Sequence, residues 1–176
     1  MREENMEISN NLTGESSSDR IFSDEYFMRS ALRLAQRAAM EGEVPIGAVI
    51  VKDEMVISKG WNQVEMLKDA TAHAEILAIT GAAAALGDWR LEDCTLYVTK
   101  EPCAMCAGAL VNSRIKRIVY GLSDPRSGCC GGALDITGFS GMLHNPEVMG
   151  GVLEEESKAI MQEFFREVRK RDKKNF

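Results

Sequence analysis

A layered α/β domain is what this sequence predicts, and three observations carry that reading. Stretches with apolar residues at helical spacing alternate with short apolar runs of strand length, and turn residues separate them. At 176 residues the chain is one domain by size, and a hydrophobic content of 45% can supply a sizeable core. No internal repeat divides the chain, and the alternation of elements does not describe a bundle or a barrel.

Residues 1–20 are polar, with Asn10-Asn11 and Ser16-Ser17-Ser18, and read as a disordered acidic tail. Ser23 has the character of an N-cap for a helix over about 24–41, whose Phe27, Ala31, Leu34, Ala35 and Ala38 recur at helical spacing. Gly42 and Pro45 punctuate its exit. Ile46 to Val51 is a nearly unbroken apolar run, as expected of a buried strand. Lys52-Asp53-Glu54 then turns the chain into a second strand at about 55–60, making a hairpin. A loop from Asn62 to Asp69 leads to Thr71, a plausible N-cap for a helix over about 73–86 that Gly87 stops. Leu96 to Thr99 is a third strand, and a helix from Cys103 to about Ser113 follows it directly. The Pro102 ring suits the start of that helix, where no N–H is needed. Ile118 to Tyr120 is a fourth strand. The stretch 121–146, rich in Gly, Ser, Pro and Asp, has no clear period, and 147–149 makes a short fifth strand. The last helix runs from about Leu153 to Arg171 on Ile160, Met161, Phe164, Phe165 and Val168. The plan is a tail at 1–20, one domain over 21–172, and a basic end at 173–176.

No apolar run is long enough to span a membrane, and the N-terminus lacks the layout of a signal peptide. The five cysteines are odd in number and uneven in placement, which speaks against a disulfide framework and for a reducing cytoplasm. The net charge of −6 is unevenly spread. Glu3, Glu4, Glu7, Glu15, Asp19, Asp24 and Glu25 crowd the first 25 residues against Arg2 and Arg20. At the other end Arg166, Arg169, Lys170, Arg171, Lys173 and Lys174 outweigh Glu167 and Asp172. Composition alone favours a solvated helix terminus there, since cations suit that end of the dipole. A phosphate-binding stripe is the sharper reading.

Two clusters about thirty residues apart carry the chemistry: His73-Ala74-Glu75 and Pro102-Cys103-Ala104-Met105-Cys106. Either alone is weak. A single histidine is usually an ordinary one, and Cys-x-x-Cys can be a redox pair, half of a structural zinc site, or small buried residues. Jointly they give three zinc ligands, His73, Cys103 and Cys106, and leave one tetrahedral position for water. Two thiolates and an imidazole around Zn²⁺ sum to a nearly neutral core, tolerable in a closed pocket. Glu75 is close enough to handle the protons of that water. A structural site would need a fourth ligand, and His144 or Cys129-Cys130 lacks the usual spacing. Both clusters open helices, so two positive dipole ends would face the metal.

His-x-Glu followed by Pro-Cys-x-x-Cys resembles the signature of the zinc-dependent cytidine deaminase superfamily. Within it the chain is similar to bacterial tRNA adenosine deaminases, through Val44 to Val49, Gly60-Trp61-Asn62, Thr71 to Glu75, Glu101 to Leu110, Gly121 to Gly128, and Phe164-Phe165-Arg166. The likeness covers about residues 24–172. It implies a three-layer α/β/α sandwich with a five-stranded mixed sheet, a homodimer, and one zinc per subunit. It also implies conversion of adenosine to inosine at the first anticodon position of a tRNA. His73, Cys103 and Cys106 would then bind the metal, and Glu75 would move protons from the attacking water to the purine ring and the departing amino group. Asn62, Ala74, Asp124 and Arg126 would contact the substrate, and Arg166, Arg169 and Lys170 the RNA backbone. Asn62 and the Asp124-Pro125-Arg126 segment are also ordinary turn residues when read alone. An anticodon loop suits this chemistry because a base already in a loop costs least to unstack.

Three features depart from the family pattern. Cys129-Cys130 stand where small residues are usual and read as semi-buried fillers. Lys100 stands where an apolar residue is expected, beside the metal motif, and Pro146 would shorten or displace the last strand. A free-base deaminase, such as a guanine deaminase, is the alternative with the same metal chemistry; the basic Phe-Phe-Arg tail speaks against it. An idle zinc-binding subunit is a third reading, and the intact Glu75 speaks against that.

Overall fold

The computed structural model describes residues 22–173; the tail at 1–20 and the last three residues of the basic end lie outside them. Helix α1 (Asp24–Met40) starts as its sequence dictates, with the Ser23 hydroxyl accepting the Tyr26 N–H at 3.2 Å and two acids in the first turn. Strands β1 (Gly47–Lys52) and β2 (Met55–Trp61) form an antiparallel hairpin. Its tip, Asp53 and Glu54, takes positive φ at both residues, the primed geometry that matches strand twist. Helix α3 (Ala74–Leu86) ends on Gly87 at φ +66, where a left-handed residue closes the last turn. It is followed by β3 (Thr95–Lys100), α4 (Ala104–Asn112), β4 (Arg117–Leu122), β5 (Glu147–Met149) and α5 (Glu154–Asp172).

Three sequence expectations need correction. The segment 62–69 is not all loop: it holds a short helix, α2 (Val64–Leu67). The N-cap of α3 is His73, not Thr71, because Thr71 is tied back to the Asp69 carboxylate through its N–H at 2.8 Å and hydroxyl at 2.7 Å. Pro102 lies one residue ahead of the Cys103 N-cap of α4 and so outside the helix.

The sheet is mixed and five-stranded in the order β2-β1-β3-β4-β5. β1 is antiparallel to both neighbours, while β3, β4 and β5 are parallel. Alternation along the strands sends residues to two cores. Val49, Val51, Tyr97 and Val119 meet Phe27, Met28, Ala31 and Leu32 of α1, with Ile160 of α5 beside them. Ala48, Ile50, Leu96, Val98 and Ile118 meet Ala74, Ala78 and Ala82 of α3 and Ala107 and Leu110 of α4. This is the α/β/α sandwich. Because β1 runs against its neighbours, one edge of the sheet gathers the start of β1 and the ends of β2, β3 and β4. Pro146 is buried and directly precedes β5, which is three residues long. Among the described residues, no helix is long and apolar enough to cross a membrane.

Candidate active site

The predicted metal ligands meet at that edge. His73 caps α3 and Cys103 caps α4, while Cys106 lies in the first turn of α4, so both helix N-termini point at one spot. His73 Nδ1 stands 3.6 Å from Cys103 Sγ and 3.5 Å from Cys106 Sγ. Zinc bonds of ordinary length at tetrahedral angles place N and S about 3.5 Å apart, so these separations are those the ion requires. The three donor atoms lie within 4.8 Å of one another, and no other His, Cys, Asp or Glu among the described residues joins them. His144 is spent elsewhere, with Nε2 2.6 Å from the Ile115 carbonyl. Cys129 and Cys130 are buried free thiols, the small fillers their size predicts.

Electrostatics fit the donor chemistry. Hydrogen bonds from Cys106 and His73 hold the Cys103 thiol down to about 3, so it is a thiolate ready to ligate. The hydrogen bond with Cys103, and then burial, raise the Cys106 thiol. The hydrogen bond with Cys103 raises His73 in turn. Glu75, in the first turn of α3, is 3% exposed, and burial pushes its carboxyl above the usual carboxylate range. Its Oε2 is buried with no hydrogen-bond partner among the described residues. A native structure rarely leaves a carboxylate oxygen so. Such an atom beside a thiolate and an imidazole fits a site completed by a metal, water and substrate.

A cavity of about 410 Å³ opens next to His73 and is walled by Glu43, Val44, Ile46 and Asn62. Asn62 is buried, and its Nδ2 donates to Glu43 Oε2 at 3.1 Å. The same carboxylate accepts the N–H groups of Glu65 at 3.1 Å and Met66 at 2.7 Å, capping α2 from outside the helix. Glu43 is 1% exposed and was not legible as a site residue. Its only sequence signal is an acid wedged between Gly42 and Pro45 at a helix exit.

Glu101 is the second residue that sequence reasoning passed over. Although 2% exposed, its carboxylate accepts the Ser123 hydroxyl at 3.0 Å and the N–H groups of Asp124 at 2.8 Å, Cys130 at 3.0 Å and Gly132 at 2.8 Å. A Cβ at Gly128 or Gly132 would fall 2.3–2.4 Å from that carboxyl group, so glycine is needed at both. The loop 123–132 is thereby folded around one anion, and the Cys129 N–H ties it to the Pro102 carbonyl at 2.8 Å. Asp124 Oδ1 accepts the Arg126 N–H at 2.9 Å, and Arg126 is exposed at the loop surface. Ala74 is buried against β2, where Gly60 lets the strand approach the Ala74 carbonyl. Arg166, Arg169 and Lys170 are exposed on α5, an element that carries none of His73, Cys103, Cys106 and Glu75.

The family model for MafB19-like deaminases matches residues 22–169. The tRNA-specific adenosine deaminase of Bacillus subtilis is 47% identical over 150 residues, 85% of this chain and 93% of that protein. A solved structure from work on A-to-I editing by tRNA:A34 deaminases at the wobble position of transfer RNA superposes with TM-score 0.75 at 44% identity. It covers 77% of this chain and 98% of the other. A guanine deaminase from Bacillus subtilis, also 44% identical, gives TM-score 0.54 over 56% of this chain and 64% of the other. With the motif and the mixed sheet in agreement, and with relatives matched over 77–85% of this chain, the chain belongs to the MafB19-like deaminases and, among them, with the tRNA-specific adenosine deaminases.

Proposed function

We propose that this chain is a zinc-dependent hydrolytic deaminase that converts adenosine to inosine at the first anticodon position of a tRNA, releasing ammonia. One observation carries the reading: an imidazole nitrogen and two sulfurs at zinc-ligand separations, with an unpartnered buried carboxylate oxygen on Glu75 nearby. The identity to tRNA-specific adenosine deaminases supports the substrate over a free base.

His73, Cys103 and Cys106 would hold one zinc per subunit. When bound, zinc is a Lewis acid that lets water attack at neutral pH, its effect on water acidity being from about 16 to roughly 7. Glu75 accepts the proton of the attacking water at a carboxylate oxygen and delivers it to the purine ring nitrogen. A second transfer goes to the amino group at C6, which leaves as ammonia. A carboxyl raised by burial is suited to this, because it gives the proton up as readily as it takes it. Asn62, fixed by Glu43, would orient the nucleoside in the cavity, and Ala74, its side chain buried against β2, would contact the substrate through its backbone. Asp124 and Arg126 belong to the RNA-facing loop, Asp124 by shaping its turn and Arg126 by reaching phosphate. Arg166, Arg169 and Lys170 would extend that footprint along α5. Residues 21–172 would make up the whole deaminase domain, acting as a homodimer in the cytoplasm.

The test is incubation of the metal-loaded protein with unmodified tRNA and sequencing for adenosine-to-inosine change, with guanine run beside it and ammonia detected. Inosine at the first anticodon position is expected. Ammonia from guanine and none from tRNA would replace this reading with the free-base one.

A further inference from the structure

The family pattern breaks at Lys100, and the structure gives that break a partner. Lys100 is the last residue of β3, and its ammonium pairs with Asp124 Oδ2, both side chains being largely buried. The rest of the Asp124 carboxylate is also used inside the protein. Oδ1 accepts the N–H groups of Arg126 at 2.9 Å and Ser127 at 3.3 Å, and Oδ2 accepts the Ser127 hydroxyl. Such a carboxylate has little left for a substrate. Burial alone would raise its pKa, but the Lys100 and Ser127 bonds outweigh burial and keep it ionised. Two consecutive side chains of opposite charge therefore grip one loop from the exit of β3. Lys100 takes the side chain of residue 124, and Glu101 takes the backbone of residues 124, 130 and 132.

Resting on the tRNA-deaminase reading, we propose that Lys100 is a positioning residue: its ion pair with Asp124 pins the loop 123–132 against the start of α4 and cancels a carboxylate charge on the side that receives RNA. Without the ammonium, Asp124 keeps neutral donors only. Its charge is then undersatisfied where it stands, and the loop gains by turning it out to water. A turned-out carboxylate meets the phosphates of the substrate with like charge. The consequence falls on RNA engagement and not on proton transfer at Glu75.

The experiment compares the zinc-loaded wild type with Lys100→Met, Lys100→Arg and, as a control, Lys52→Met, which breaks a surface pair with Asp93 at the far end of β1. Hydrogen exchange is followed at the amides of 123–132, beside steady-state kinetics on tRNA and bound-metal analysis. In Lys100→Met, exchange at residues 124, 130 and 132 should rise about tenfold, as local opening becomes easier. KM for tRNA should rise about tenfold with kcat within about threefold, the mark of lost binding and not of lost chemistry. Metal content should not change, Lys100→Arg should restore both readouts, and Lys52→Met should move neither. Exchange and KM at wild-type values in Lys100→Met, or a loss confined to kcat or to metal, would overturn the proposal. Should Lys100→Met not fold, Asp124→Asn removes the same attraction at constant size, and unchanged loop exchange there overturns it equally. If the wild type does not act on tRNA, the substrate reading falls, and the exchange data still decide the clamp.

Discussion

At the scale of one residue, the proposed chemistry turns on Glu75. Replacing it with Gln keeps its volume and its place in the first turn of α3, so the donor set of His73, Cys103 and Cys106 stays intact. Bound zinc should be retained while deamination falls by at least ~10²–10⁴-fold, the usual worth of a positioned proton carrier. Metal analysis beside an inosine assay checks this, and activity near wild type with zinc bound would remove Glu75 from the mechanism. The four residues of this centre were legible because their chemistry lies in residue type and short spacing. Glu43 and Glu101 were not. An isolated Glu reads as surface, and what buries these two is backbone N–H groups 22 to 31 residues away, at Glu65, Met66, Asp124, Cys130 and Gly132. Their role is a property of the fold, so no local pattern announces it.

Elements bring the two halves of the site together, and close packing fixes how. A Cβ at Gly60 of β2 would fall 2.2 Å from the Ala74 carbonyl, a backbone atom that cannot swing aside. Gly60→Ala must therefore push the first turn of α3 away from the sheet, and His73 and Glu75 move with it. Overpacking of this kind costs about 1–3 kcal/mol. In a domain of this size each kcal/mol lowers Tm by about 2–4 °C. Unlike a surface change of equal cost, it should also weaken zinc binding, read by competition with a chromogenic chelator. Normal zinc affinity in a destabilised Gly60→Ala would show that α3 does not carry the site with it. Longer elements were readable for the reason this one is rigid: their apolar period is set by the layers they join. Helix α2 was not, because four residues show no period and its N-terminus is capped by Glu43 instead of by its own Gln63. Thr71 misled in the same way, since Asp69 claims both its N–H and its hydroxyl before α3 begins.

Charge operates over the whole molecule, and one network crosses it. Asp24, at the start of α1, receives both terminal nitrogens of Arg117 at 2.6 and 2.9 Å and the Tyr97 hydroxyl at 2.8 Å, while Arg117 also reaches Glu147 of β5 at 3.1 Å. The Arg117 hydrogen bond holds the Asp24 pKa below its ordinary value. A carboxyl lowered by folding adds stability that is complete above its unfolded pKa and is lost as pH falls through the folded one. Asp24→Asn should thus cost about 1–2 kcal/mol near neutrality, and its Tm should converge on that of wild type as the pH drops below about 4. A gap that persists undiminished well below pH 4, where both folded and unfolded carboxyls are protonated, would mean that the pair contributes no charge-dependent stability.

The basic end of α5 poses the opposite problem, because its cations have partners at hand. Arg166 lies 3.2 Å from Glu163 and 3.7 Å from Glu167, and Lys170 lies 2.7 Å from Glu167. Such exposed pairs contribute about 0–1 kcal/mol and yield readily to phosphate. That leaves the two readings of the sequence, a solvated terminus and a phosphate-binding stripe, separable by salt alone. Each phosphate neutralised adds about 0.7–0.9 to the slope of log affinity against log salt. Changing Arg166, Arg169 and Lys170 together to Gln should therefore flatten that slope for tRNA by about 2, somewhat under the full value for three contacts because Glu163 and Glu167 compete. Folding should be unaffected, since all three side chains are exposed. Anisotropy titrations of labelled tRNA over a salt series give the number directly. A slope equal to that of wild type would make this end of the helix a solvated terminus, and the RNA footprint would then have to lie wholly on the loop that Lys100 and Glu101 hold.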